Sequence, residues 1–294
     1  MKILVVVASL IWFIAPPNFE ACAQQIESEV PFTFEKGHII IAAKIKDKEP
    51  VEMAIATGLE RSIVGGGNIH KYNLRLTFTP DAFGTGRSDP SVEFAEVAGI
   101  RLGNVRTGSL LMHYTQGTVN IISKNIGREI FAVLGADFFR GRTVQFDFKK
   151  KVIRFLSNWK APREGSESVA VLPMLVDTMR PIRRPIVERV NFNGKPIKTL
   201  LDTGSVTIIS LTPTGAKELG LPVLAPKSNP QSAKVSLALE KISFPEVPAV
   251  VYSKESNFDK ESSGYSAMIG VAVLQNFIVT FDFGDAVVVL EKNF

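Results

Sequence analysis

Short apolar and β-branched runs, broken by Gly, Pro and Asn, dominate this chain. Val144-Gln145-Phe146-Asp147-Phe148 and Val279-Thr280-Phe281-Asp282-Phe283 alternate as strands do, and the β-rich runs Val152-Ile153-Arg154-Phe155 and Val287-Val288-Val289-Leu290 follow them. Asn193-Gly194-Lys195-Pro196 reads as a hairpin turn. Helical signals are few. Residues 212–220 predict one short helix, with Thr212 as N-cap, Pro213 in the first turn and Gly220 as its stop. Residues 68–73 are its expected counterpart earlier in the chain, whereas Gly65-Gly66-Gly67 reads as a loop. Short helices are also expected over 136–140 and 271–276. The pattern predicts an all-β protein.

The chain repeats itself. The stretch from Lys48 to Leu59 lies over the stretch from Gly194 to Ser205, matching Pro50 to Pro196 and Thr57-Gly58 to Thr203-Gly204. Ser62-Ile63 then falls over Ile208-Ile209. A middle block, 97–105, fits 239–247. Val133-Leu134-Gly135-Ala136-Asp137-Phe138-Phe139 lies over Met268-Ile269-Gly270-Val271-Ala272-Val273-Leu274, and the strand runs above complete the match in the same order. Residues 158–168, rich in charge, Ser and Gly, make the best linker. The organisation predicted is a leader over 1–23, one lobe over 24–157, the linker, and a second lobe over 169–294.

The chemistry lies in the repeated turn. Leu200-Leu201-Asp202-Thr203-Gly204-Ser205 is an apolar strand feeding an Asp-Thr-Gly turn, with a hydroxyl residue directly after it. The first copy reads Ala56-Thr57-Gly58-Leu59. This resembles the active-site loop of aspartic proteases, most closely the retropepsin-like group (clan AA) in a tandem two-lobe bacterial form. The resemblance covers nearly all of the chain after the leader. It implies two retropepsin-like β-barrel lobes related by a pseudo-two-fold axis, with a flap over the cleft between them. The Gly-rich stretch 82–88 is the candidate flap tip of the first lobe, and the region 228–232 is its shorter counterpart.

In that family two carboxylates, one from each loop, share a proton and act as general base and general acid on a water and a scissile carbonyl. The resemblance makes Asp202 the catalytic carboxylate. Thr203 braces the loop, Gly204 permits the tight turn, and Ser205 orients the carboxylate. Ala56, Thr57 and Gly58 form a degenerate counterpart that keeps the bracing residues and lacks the charge. Two functions follow. One is an aspartic endopeptidase whose second carboxylate comes from another copy of the chain, as in homodimeric retroviral proteases, or from a displaced acid such as Glu60 or Glu52. The other is an inactive pseudoprotease that holds an extended peptide between its lobes by main-chain hydrogen bonds.

Charge and composition exclude other classes. The net charge of +5 is modest for 294 residues. Lys149-Lys150-Lys151 lies between two strand runs and reads as a hairpin tip, so no nucleic-acid partner is expected. Arg180, Arg183, Arg184 and Arg189 mark the approach to the second lobe's first strand. His38, His70 and His113 have no ligand-spaced partners, and no phosphate or dinucleotide fingerprint is present, so neither metal nor cofactor is expected. Lys2, the apolar run 3–14 and Ala21-Cys22-Ala23 read as a secretory signal cleaved after Ala23, which places the mature chain in the bacterial periplasm or outside the cell. A lipid anchor at Cys22 is the alternative, and Glu20 fits it poorly. Cys22 is the only cysteine. A chain cleaved there has no disulfides and depends on its hydrophobic core. No transmembrane span is expected after cleavage.

Overall fold

The computed structural model describes residues 25–79, 92–115, 117–162, 169–176, 184–256, 258 and 264–293. The expected leader with Cys22, the stretch 82–88, most of the linker, and Arg180 and Arg183 lie outside the described residues. The rest is mostly strand, with four short helices among the described residues. The all-β expectation holds.

Six strands of the second half close into a barrel, and Val169–Pro173, Phe277–Asp282 and Val287–Lys292 of the same half join the large sheet of the first. The barrel strands run in the order Ile186–Phe192, Lys195–Asp202, Ala267–Gly270, Ile209–Leu211, Ile242–Val251 and Gln231–Leu239, the last returning to the first. The predicted hairpin turn is present. Asn193 and Gly194 both take positive φ (49° and 75°), the pairing that a two-residue turn needs to match strand twist. Inward side chains such as Val190, Phe192, Leu201, Ile209, Leu237 and Ile269 are almost fully buried.

The first half belongs to a large sheet whose central pairings mirror those of the barrel. Val51–Ile55 runs parallel to Ala132–Leu134, as Lys195–Asp202 runs parallel to Ala267–Gly270. Arg75–Thr79 and Val92–Ala98 pair antiparallel and extend the far edge. In the second half, the corresponding stretch 221–230 holds no strand.

One antiparallel pair joins the halves. Thr143–Asp147 lies against Phe277–Asp282, with Gln145 opposite Thr280. Val144 faces Phe281, and Phe146 faces Val279. The repeat makes Gln145 and Thr280 equivalent, and likewise Val144 with Val279 and Phe146 with Phe281. Each residue therefore faces the partner that a local two-fold axis through Gln145 and Thr280 requires. The Gln145 amide donates to the Thr280 hydroxyl at 3.1 Å on that axis. Around it the apolar core is continuous across the halves: Phe146 meets Phe281 edge-on at 5.8 Å, and Phe139 stacks on Phe283 at 6.0 Å.

The helices correct part of the sequence reading. Pro213–Leu219 forms as expected, with Thr212 accepting the Gly215 amide at 3.0 Å and Gly220 closing it at φ 73°. Its counterpart is Gly66–Lys71, so the glycine triplet is not a loop. Gly65 ends a strand and caps the helix, and Gly66 and Gly67 open it. Val271–Leu274 is helical, but 136–140 is a run of turns. There the Phe138 amide is shared between the Asp137 carboxylate and the Gly135 carbonyl, and the Phe139 amide goes to the Ala136 carbonyl three residues back, so the bonds close turns and do not propagate a helix. The helix Gly117–Ile126 has no expected counterpart. It is short and buries only Val119 and Ile122, a weak periodic signal. Lys149-Lys150-Lys151 is the expected hairpin tip, with the Lys150 amide on Asp147 at 3.0 Å. Among the described residues no helix is long and apolar enough to cross a membrane.

Candidate active site

The two Thr-Gly turns meet. Ala56 directly follows one apolar strand and Asp202 ends the other, in equivalent registers: Ile55 pairs with Leu134, and Leu201 pairs with Ile269. The turns that follow are bound to each other reciprocally. The Thr57 amide donates to the Thr203 hydroxyl oxygen at 3.1 Å, and the Thr203 amide donates to the Thr57 hydroxyl oxygen at 3.1 Å. The Thr57 hydroxyl donates to the Leu201 carbonyl at 3.1 Å. Both threonines are completely buried, so these bonds satisfy groups that water cannot reach.

The glycines allow this approach. A Cβ on Gly204 would stand 2.2 Å from the Ala56 methyl, and one on Gly58 would stand 2.5 Å from Asp202 Cγ. Each glycine packs on the acid position of the opposite half. The close approach also brings both glycine amides onto one carboxylate oxygen. Gly204 donates to Asp202 Oδ1 at 2.8 Å from its own turn, and Gly58 donates to the same oxygen at 2.9 Å from the other half.

Burial holds the Asp202 carboxyl above its ordinary range, and the amides of Gly204 and Gly58 oppose that rise without cancelling it. Among the described residues these are the influences on its titration, and neither Glu52 nor Glu60 is among them. Glu52 is held by Arg128 Nε, and the other nitrogens of that guanidinium grip Glu35 at 2.6 and 2.7 Å. That bidentate contact pulls the Glu35 carboxyl down to about 2.

Where a dyad needs its second carboxylate, this chain has a methyl group. Ala56 is buried in an apolar cluster with Ile63, Val133 and the helix residues Val119 and Ile122, and Leu59 packs against it. Ala56 and Leu59, which stand where the second loop has Asp202 and Ser205, thus belong to one apolar cluster. In the second loop Ser205 stays polar, but its hydroxyl joins a chain through Thr207 (2.8 Å) to Ser210 (2.9 Å). The groups that fix Asp202 are the backbone amides.

Behind each loop stands the glycine of the apolar-apolar-Gly segment. A Cβ on Gly270 would lie 1.9 Å from the Thr207 carbonyl oxygen, and one on Gly135 would lie 2.9 Å from that of Leu59. The equivalence of the loops is offset by one residue from the sequence match. Val133 pairs with Ile63, whereas the equivalent Met268 pairs with Ser210. The stretch after Gly58 is therefore one residue shorter than the stretch after Gly204, and Ser62 corresponds to Ile209.

Two polar residues at this site escaped the sequence reading. Ser62 is fully buried, and its amide and hydroxyl both donate to Asp137 Oδ1, at 2.9 and 2.6 Å. The signal was present: Asp137 follows the apolar-apolar-Gly segment at a place where the second copy has Ala272. No known protein-family model matches the chain, and no curated protein matches it significantly in sequence.

Proposed function

We propose that this chain is a secreted, non-catalytic relative of the retropepsin-like aspartic proteases that binds an extended polypeptide segment between its two halves. The observation that carries the reading is the contact of Ala56 with Gly204 opposite Asp202. The loops have met as a dyad's loops must, and one carboxylate is missing. General acid–base catalysis contributes about 10²–10⁴-fold per positioned group, and a shared proton needs two carboxylates. Main-chain recognition of an extended segment needs neither.

Recruiting a second Asp202 from another copy is costly for this chain. The second loop already spends its bonds on its own first half, through Thr57, Thr203, Leu201 and Gly58. One observation favours the alternative, an aspartic endopeptidase completed by another acid: Asp202 retains a two-amide cradle and a raised pKa, which suit a general acid.

The test compares the purified chain lacking residues 1–23 with its Asp202→Asn variant. Both are incubated with a denatured protein from acidic to neutral pH, and both are titrated with pepstatin and with a panel of extended peptides. The reading expects binding without cleavage. Cleavage that disappears in Asp202→Asn establishes the peptidase, and absence of both binding and cleavage rejects either role.

A further inference from the structure

The two loops are secured from behind in different ways. In the second half the Gly270 amide donates to a backbone carbonyl, that of Ile208, at 3.0 Å. In the first half the loop is one residue shorter, and the equivalent Gly135 amide goes to a side chain, the Ser62 hydroxyl oxygen, at 2.9 Å. That hydroxyl in turn donates a hydrogen bond to Asp137 Oδ1 at 2.6 Å. Oδ1 also takes the amides of Ser62 and Phe138, each at 2.9 Å. Oδ2 is buried and meets no hydrogen-bond donor among the described residues. Such a group is costly to bury, and the second copy, with Ala272 in this place, does without it.

We infer that Ser62 and Asp137 are a positioning pair, which holds the Ala56-Thr57-Gly58 turn where the Gly58 amide reaches Asp202. Besides the Gly135–Ser62 bond, four more bonds pin the stretch just after Gly58 to the segment around Gly135. The Leu59 carbonyl accepts the Ala136 amide at 2.8 Å, and the Glu60 carbonyl accepts the Asp137 amide at 3.2 Å. The Ser62 amide and hydroxyl supply the other two. The second loop keeps the equivalent of the first bond, from the Val271 amide to the Ser205 carbonyl at 2.9 Å. The side-chain pair is particular to the degenerate loop. Its position there is what delivers a donor across the interface to the chain's lone site carboxylate.

The inference rests on the proposed function only in regarding this turn as part of a binding site, and its test needs no ligand. The Asp202 carboxyl carbon and the Gly58 amide proton are followed by NMR through a pH titration of the full mature chain. In the native protein the Gly58 amide shift should follow the Asp202 titration. In Ser62→Ala and Asp137→Ala the Asp202 pKa should rise further, because the amide that lowers it has moved away. Ser62→Thr, which keeps the hydroxyl, should restore the native value. Ile242→Ala, in the far wall of the barrel, serves as a control that lowers Tm without touching the loop, and it should leave the Asp202 titration unchanged. A native Gly58 amide that ignores the Asp202 titration overturns the inference, whether or not the variants fold. So does an Asp202 pKa that is the same in folded Ser62→Ala as in the native chain, or a shift equally large in the control. The peptide titrations above report on the binding reading separately.

Discussion

The Gly58 amide donates to Asp202 Oδ1 at 2.9 Å, across the interface between the halves of one chain. A turn with Ala56 where its repeat has Asp202 thus still serves that acid. Thr57-Gly58 has a physical use without a charge at Ala56: the threonine locks the turns together, and the glycine lets its amide close on the carboxylate.

Restoring the pair should restore chemistry. Ala56→Asp combined with Leu59→Ser places a carboxylate and a hydroxyl on a turn whose bracing is intact. The double variant should cleave a denatured protein best at acidic pH, be inhibited by pepstatin, and exceed the native chain by about 10²-fold or more. It should also melt at a lower temperature, because a charge enters an apolar cluster. The decisive control adds Asp202→Asn. A folded double variant that stays inert would show that the site has diverged beyond the dyad.

Asp202 should titrate in a single step, since among the described residues no second carboxylate influences it. Its native pKa lies above the ordinary value of 3.8. The native state therefore binds that proton more tightly than the unfolded chain. The resulting stabilisation is full below the unfolded pKa and is lost as pH rises through the native one. Asp202→Asn removes this dependence, so its stability relative to the native chain should improve steadily as pH rises from acidic to neutral. Urea denaturation of both proteins at a series of pH values checks the sign, and a difference that is flat with pH contradicts it.

The threonine pair should behave as a unit. Thr57→Val and Thr203→Val each strand a buried amide in the opposite turn, at a cost of about 1–3 kcal/mol apiece. Once either half of the reciprocal pair is broken, the second mutation has less to remove. The double variant should therefore lose less stability than the sum of the singles, as a double-mutant cycle in chemical denaturation measures. Additive losses would mean that the turns are not coupled.

The glycines behind the loops should rank in a defined order. Gly270→Ala drives its methyl to 1.9 Å from a carbonyl oxygen of the active-site loop, whereas Gly135→Ala reaches 2.9 Å. Gly270→Ala is expected to cost more than about 3 kcal/mol or to prevent folding, and Gly135→Ala to cost less. Gly194→Ala, with open space around it, meets only the strain of its positive φ and should be the mildest. Thermal melts of the three variants test the order.

Much of this molecule is legible in its sequence because strand patterning and turn chemistry are local. Alternating side chains define the runs that become Thr143–Asp147 and Phe277–Asp282. Asn-Gly specifies its hairpin, and Thr212, Pro213 and Gly220 bound their helix. The repeat aligns the Thr57-Gly58 turn with the Thr203-Gly204 turn, and one letter shows Ala56 where the second copy has Asp202. What the sequence could not determine depends on distance between its two copies. Only the packed chain decides that Gln145 and Thr280 meet on the axis, that the amides of both glycines converge on one oxygen of Asp202, and that a loop one residue shorter is secured by Ser62 and Asp137. The bonds made by Gln145, Gly58 and Ser62 join residues 135, 144 and 75 positions apart, and no local preference of either partner encodes them. They form because burying two apolar sheets against each other leaves the turns' polar groups out of reach of water, with only one another to satisfy them.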